Sequence, residues 1–206
     1  MSGKTLKVFF LLAAILLLAS GLTPARAEET TIGALAADAQ AKHALGVVIP
    51  EFTLNGVVLK QDRSRPKPDS FQDAGNRRCP PFCVQAETVP GATTIQVEDF
   101  QKMAADINAK KILLVDLRTP EWFQSGTLPQ AINLPFSDLA GPEATVKARL
   151  EKLAGKDIIA FCNGWWCGQS PAGITALLAL GYPGKIYYFR DGNQGWVDAG
   201  LPLVKP

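Results

Sequence analysis

The sequence predicts an α/β fold in which helices cover both faces of a parallel sheet. Three observations lead there. The runs "KILLVDL" (111–117), "DIIAF" (157–161) and "KIYYF" (185–189) are short and apolar, as buried strands are. Segments of helical periodicity lie between them. Strands and helices that alternate in this way belong to parallel sheets with both faces covered.

The N-terminus comes first. Lys4 and Lys7 precede 12 apolar residues, Val8 to Ala19, and "ARA" at 25–27 offers small residues for cleavage. That run is shorter than the roughly 20 residues of a membrane-spanning helix. Residues 1–27 are therefore read as a cleaved signal peptide, leaving no stable membrane anchor and an exported, periplasmic chain from Glu28. Lys4, Lys7 and Arg26 are the only charges in the segment, so the formal net charge of +2 belongs to the signal. The rest is slightly acidic with scattered Lys and Arg, which excludes a field for nucleic acid.

Residues 28–91 are expected to form an N-terminal extension. "TIGALAADAQAKHAL" favours a short helix. Asn55-Gly56 between apolar residues signals a hairpin. The charged, proline-broken stretch from Lys60 to Arg78 reads as a linker or exposed loop. "CPPFC" then brings Cys79 and Cys83 within reach of a disulfide, its prolines stiffening the loop.

Residues 92–206 form the regular domain. "VEDFQKMAADIN" carries Val97, Phe100, Met103, Ala104 and Ile107 at helical spacing. "KILLVDL" follows as a strand, and "AINLPF" as a strand or extended segment. "PEATVKARLEKLA" is helical, with Pro142 at its first turn. After the strand "DIIAF" comes a helix in "SPAGITALLALGY", with Ser170 as its cap, Pro171 in its first position and Gly181 at its end. "KIYYF" is the last strand.

The chemistry concentrates in "CNGWWCGQS", residues 162–170. Cys162 leaves a buried strand just before a helix N-terminus, where the helix dipole and loop N–H groups favour thiolate over thiol. Gly164 and Gly168 let the backbone curl around it, with Asn163, Trp165 and Trp166 completing a binding loop. One of the two tryptophans is expected at an exposed rim. A four-cysteine zinc site is disfavoured by the spacings and by an oxidising compartment, so no metal and no cofactor are expected. His43, the only histidine, is expected to be solvated.

Two motifs carry a resemblance. "ILLVDLRTPEWFQSGTLPQAINLPF" has Asp-x-Arg, Glu-aromatic, Gly and then Ala-x-x-x-Pro. "IIAFCNGWWCGQSPAGITALLALGYPGKIYYFRDGNQGW" has a loop cysteine, a helix, Gly-Tyr, a strand and a closing Gly-x-x-x-Trp. Together they are similar to the rhodanese-like sulfurtransferases. The resemblance implies a five-stranded parallel sheet with helices on both faces. It implies Cys162 as the residue that carries sulfane sulfur as a persulfide, Asp116 and Arg118 as a supporting pair, and Trp196 as core. The sequence departs from the family pattern in a loop about two residues longer and in Thr127 where His is frequent. Cys167 stands where Arg is common, and no Lys or Arg occurs between Cys162 and Lys185.

Three readings of Cys162 and Cys167 follow. They are a persulfide nucleophile with a resolving thiol, a dithiol–disulfide oxidoreductase, or a non-catalytic interaction module closed by a disulfide. The expected partner is a small sulfur-containing substrate or a thiol protein. A cation from Arg77 or Arg78, carried beside Cys79, would supply the charge that the loop lacks.

Overall fold

The computed structural model describes residues 39–71 and 88–206. The signal segment, Arg77, Arg78, Cys79 and Cys83 lie outside them.

Five strands form one sheet: β3 (Thr93–Ile95), β4 (Ile112–Asp116), β5 (Ile132–Asn133), β6 (Asp157–Phe161) and β7 (Ile186–Phe189). Their order is β3-β7-β6-β4-β5 and every pairing is parallel. β6 is therefore central, with Leu114 beside Ile159 on one flank and Ala160 beside Tyr188 on the other. The sequence reading had passed over β3, whose threonines and short length give little hydrophobic signal.

Strand alternation sorts the core into two layers. On one face Leu114, Ile159, Phe161 and Phe189 meet Phe100 and Ile107 of helix α2 (Asp99–Asn108) and Trp196 of α6 (Gly192–Asp198). Phe100 meets the Phe189 and Trp196 rings edge-on, at 4.8 and 5.1 Å between centroids. Trp196 is fully buried, and its indole N–H donates to the Pro202 carbonyl. On the other face Val115, Ile158, Ala160 and Tyr188 pack against Ile174 and Leu177 of α5 (Gln169–Ala179). Two further helices, α3 (Pro120–Ser125) and α4 (Glu143–Glu151), complete the connections.

The described part of the extension joins the first layer. Helix α1 (Ala39–Gly46) is followed by a hairpin of β1 (Phe52–Leu54) and β2 (Val57–Leu59), turned at Asn55-Gly56 with φ of +50° and +83°. Ala44, Ile49, Leu54 and Leu59 are buried in the same cluster as Phe100 and Trp196. Asn55 holds the hairpin down, its N–H donating to Asn108 Oδ1 and its amide to the Pro129 carbonyl.

Two expectations about this region are sharpened. Of the stretch from Lys60 to Arg78, the described part, to Phe71, is the exposed loop of the two alternatives rather than a free linker, and it is tied to the fold. Gln61 donates to the carbonyls of Val47 and Ala199, Arg63 to those of Ala44, Val47 and Asp198, and Phe71 is buried. Arg63 reads as loop-like because its partners are backbone carbonyls, which hydropathy does not register. Nor is His43 simply solvated, since its Nε2 lies 2.8 Å from Glu98 Oε1.

If the extension shares the core, Leu59→Ala destabilises the whole protein by about 2–5 kcal/mol. Denaturant unfolding followed by tryptophan fluorescence and by circular dichroism should then show one earlier transition. Separate transitions for extension and sheet would contradict the shared core.

Candidate active site

Cys162 stands one residue beyond β6 at the carboxyl end of the sheet, where ligands of open α/β folds bind. Its sulfur lies 3.0 Å from Ser170 Oγ and 3.4 Å from the Cys167 carbonyl, to which the thiol donates. Ser170 was expected to cap α5. Instead the helix starts two residues earlier, at Gln169 after Gly168, with no side-chain cap bond, and Ser170 sits in the first turn facing Cys162. A hydroxyl held by a nearby sulfur is not available to cap.

The loop from Cys162 to Cys167 is buried throughout. Trp165 and Trp166 are 5% and 2% exposed, so neither forms the exposed rim expected above. Gly164 explains how the Trp166 indole fits. A side chain there would come within 3.0 Å of both the Trp166 indole nitrogen and Gln194 Cβ, so its absence leaves the room that they fill. Gly192 is the second such position. Its φ is +54°, and a Cβ would lie 2.4 Å from the Cys162 carbonyl oxygen. That carbonyl accepts from the Asn193 N–H, and Asn163 O from the Gln194 N–H, so the N-terminus of α6 grips the loop through its backbone.

The second support is a buried ion pair. Arg118 and Asp116 are both fully buried, with Nη2 to Oδ2 at 2.7 Å and Nε to Oδ1 at 2.9 Å. Thr127 donates to the same carboxylate at 2.7 Å. Arg118 also donates to Asn163 Oδ1 in the active loop and to the Gly126 carbonyl. With the Asn193 amide oxygen turned toward it, Arg118 reaches that side chain too, at 2.6 and 2.9 Å. Its donors are thus used in holding four chain segments together. Gly192 is the glycine of the closing Gly-x-x-x-Trp, but the roles of Asn193 and Gln194 escaped the sequence reading, although the polar run "DGNQG" just after an apolar strand marks a change of direction at a sheet end.

The two cysteines are free thiols with different acidities. Burial opposes ionisation of Cys162. Hydrogen bonds from the Cys167 thiol, the Ser170 hydroxyl and N–H, and the Gly164 N–H outweigh it, so the Cys162 thiol is held below its ordinary value. Burial and the adjoining Cys162 push the Cys167 thiol well above its ordinary value. In the uncharged site Cys167 donates to Gln169 Oε1 at 3.6 Å. The arrangement suits a thiolate nucleophile with a protonated thiol beside it. Among the described residues no cluster of His, Cys, Asp and Glu could hold a metal.

Residues 97–199 match the rhodanese-like domain family. The chain belongs to the rhodanese-like family. Among curated relatives, it is 35% identical over 96 residues to an HTH-type transcriptional regulator of Mycobacterium tuberculosis, covering 46% of this chain but only 38% of that protein. It is 28% identical to a sulfurtransferase of Allochromatium vinosum, over 54% of this chain and 94% of the relative. It is also 28% identical to the human thiosulfate:glutathione sulfurtransferase, over 52% and 96%. A crystal structure of thiosulfate sulfurtransferase from Pseudomonas aeruginosa aligns at 26% identity and TM-score 0.44, over 55% of this chain and 20% of the other. The five-stranded parallel sheet with flanking helices is the rhodanese fold, and the relatives include named sulfurtransferases.

Removing one half of the buried pair tests its structural weight. Asp116→Ala strands the Arg118 charge, and the expected cost is about 3–5 kcal/mol in equilibrium unfolding. A change under about 1 kcal/mol would show that Arg118 finds other compensation.

Proposed function

We propose that the protein is a sulfurtransferase that carries sulfane sulfur on Cys162. The observation supporting this most is the asymmetric cysteine pair. Cys162 has several hydrogen bonds favouring its thiolate, whereas Cys167 stays protonated beside it. The low-identity sulfurtransferase relatives point the same way.

In the first step the Cys162 thiolate attacks the outer sulfur of a persulfide or polysulfide donor. A bond forms between Cys162 and that sulfur, the donor S–S bond breaks, and the donor leaves as a thiolate. Loop N–H groups and the Ser170 hydroxyl stabilise the resulting persulfide anion as they do the thiolate. An acceptor thiolate then takes the outer sulfur and regenerates the Cys162 thiolate. Alternatively Cys167, once deprotonated, attacks the inner sulfur, giving the Cys162–Cys167 disulfide and hydrosulfide. An external dithiol reduces that disulfide and is itself oxidised.

Charge bears on the donor. The loop carries no Lys or Arg, and Arg118 is occupied by Asp116, Asn163 and Gly126. A thiosulfate dianion would meet chiefly neutral dipoles, without the bidentate grip that Arg gives to oxyanions. Uncharged or singly charged persulfides fit better. Export to the periplasm, and a thiol protein as acceptor, belong to the same proposal.

Intact-mass analysis after polysulfide treatment tests the reading. The expected result is a gain of sulfur that Cys162→Ser abolishes and Cys167→Ser retains. Cys167→Ser should also hold the persulfide longer, while the wild-type protein converts to the disulfide and releases sulfide. No sulfur uptake, with ready interconversion of dithiol and disulfide, would favour an oxidoreductase instead.

A further inference from the structure

The sulfur of the active loop is shut in. Cys162 and Cys167 are 1% and 0% exposed, so a donor meets either thiol only when something around it moves. Helix α6 holds the loop closed, since Asn193 and Gln194 give their N–H groups to the carbonyls of Cys162 and Asn163. That helix is itself held by residues 63–71 of the extension, which lie outside the matched family domain. Arg63 Nη1 donates to the Asp198 carbonyl at 2.8 Å, and Lys67 pairs with the Asp198 carboxylate. Gln194 Nε2 donates to the same carboxylate at 3.1 Å and to the Phe71 carbonyl at 3.3 Å. Phe71 closes a single 3-10 turn, Asp69–Phe71, and its buried ring lies 6.4 Å from the Trp122 ring of α3. The segment therefore bridges α6 and α3 beside the active loop.

We infer that residues 63–71 form a strap that keeps the active loop closed over Cys162 by pinning α6, with Gln194 as the positioning residue between strap and loop. The inference concerns the regulation of the site proposed above and rests on Cys162 being its nucleophile. Gln194 joins the two sides directly. Its N–H holds the Asn163 carbonyl at 2.8 Å, and its Cβ is packed so close that a side chain at Gly164 would come within 3.0 Å of it. Its amide nitrogen faces the strap. Its amide oxygen is buried and meets no donor among the described residues. A buried acceptor without a donor costs free energy, and contact with water on opening relieves that cost. The strap's contacts hold Gln194 in place against it, so the loop is poised to open when they part.

The donors that lower the Cys162 thiol come from Cys167, Ser170 and Gly164, which belong to the loop and α5 and not to the strap. Arg118 holds Asn163 from the end of β4. Releasing the strap thus changes access to the sulfur while the closed state keeps its acidity.

Iodoacetamide alkylation of Cys162 in the folded full-length protein, assigned by fragment mass, separates these two quantities. The limiting rate at high pH reads access, and the pH midpoint reads acidity. Phe71→Ala should raise the limiting rate about tenfold with the midpoint unchanged, and Phe71→Leu should return it toward the wild-type rate. Gln194→Met keeps the length of the side chain without its amide and should also raise the rate. The double variant should be no faster than the faster single one, because both open the same contact. Hydrogen exchange should rise across residues 190–196 and stay unchanged in β4 and β6. An unchanged limiting rate in either folded single variant, or exchange that rises equally in β4 and β6, would overturn the strap. Should Phe71→Ala fail to fold, Gln194→Met carries the same test. Sulfur uptake by the wild-type protein separates the two proposals. A gain in rate without uptake sinks the sulfurtransferase reading and leaves the strap standing, whereas uptake without a gain in rate sinks the strap alone.

Discussion

The active loop depends on a charge pair that never meets solvent. Asp116 ends β4, and Arg118 follows two residues later, too near for a long loop to intervene. Folding back on the carboxylate, the guanidinium reaches Asn163 after β6, Gly126 after α3 and Asn193 in α6. Two buried charges are costly to desolvate, and their attraction alone does not repay that reliably. What they add here is geometry, because Arg118 holds Asp116 through Nε and Nη2 while Nη2 also reaches Gly126 and Nη1 reaches Asn163. The Cys162 loop is thereby fixed at a set height above the sheet, with α6 holding its carbonyls from the other side.

That framework allows a thiolate to be stabilised by neutral groups. A cation near the loop would attract anionic donors as well as lower the cysteine. Hydroxyl, thiol and backbone N–H groups lower the cysteine without offering an anion a charge to bind. The same loop places a second cysteine, with its proton retained, where the family pattern commonly has Arg. Both features favour traffic among thiols, persulfides and disulfides. The burial of the whole loop, tryptophans included, fits this, since neutral donors count for more away from water.

Most of the fold was legible because apolar runs and helical spacing are local signals. "DIIAF" and "KIYYF" stand where the pattern placed them, and so does the helix through "SPAGITALLA" apart from its start. The five-stranded sheet itself came from the motif resemblance, not from periodicity, which misses a strand as short as Thr93–Ile95. Cys162 and the Asp116–Arg118 pair were visible as motif positions. What escaped depended on contacts between distant segments. Ser170 looks like a cap until its neighbour is known to be a sulfur, and Trp166 beside a second tryptophan looks too large to bury until the gap at Gly164 is seen. Gln61 and Arg63 look solvated because they bond carbonyls more than a hundred residues away at Ala199 and Asp198, and Lys67 because its partner is the equally distant Asp198 carboxylate.

The account stands on one quantity, the acidity of Cys162 in the folded protein. It is most directly measured as the thiolate absorbance near 240 nm against pH, taken as the difference between the wild-type protein and Cys162→Ser. The account predicts a transition below the ordinary thiol value of 9.0. A transition at or above that value would contradict it, because the neutral donors around Cys162 would then have failed to overcome its burial.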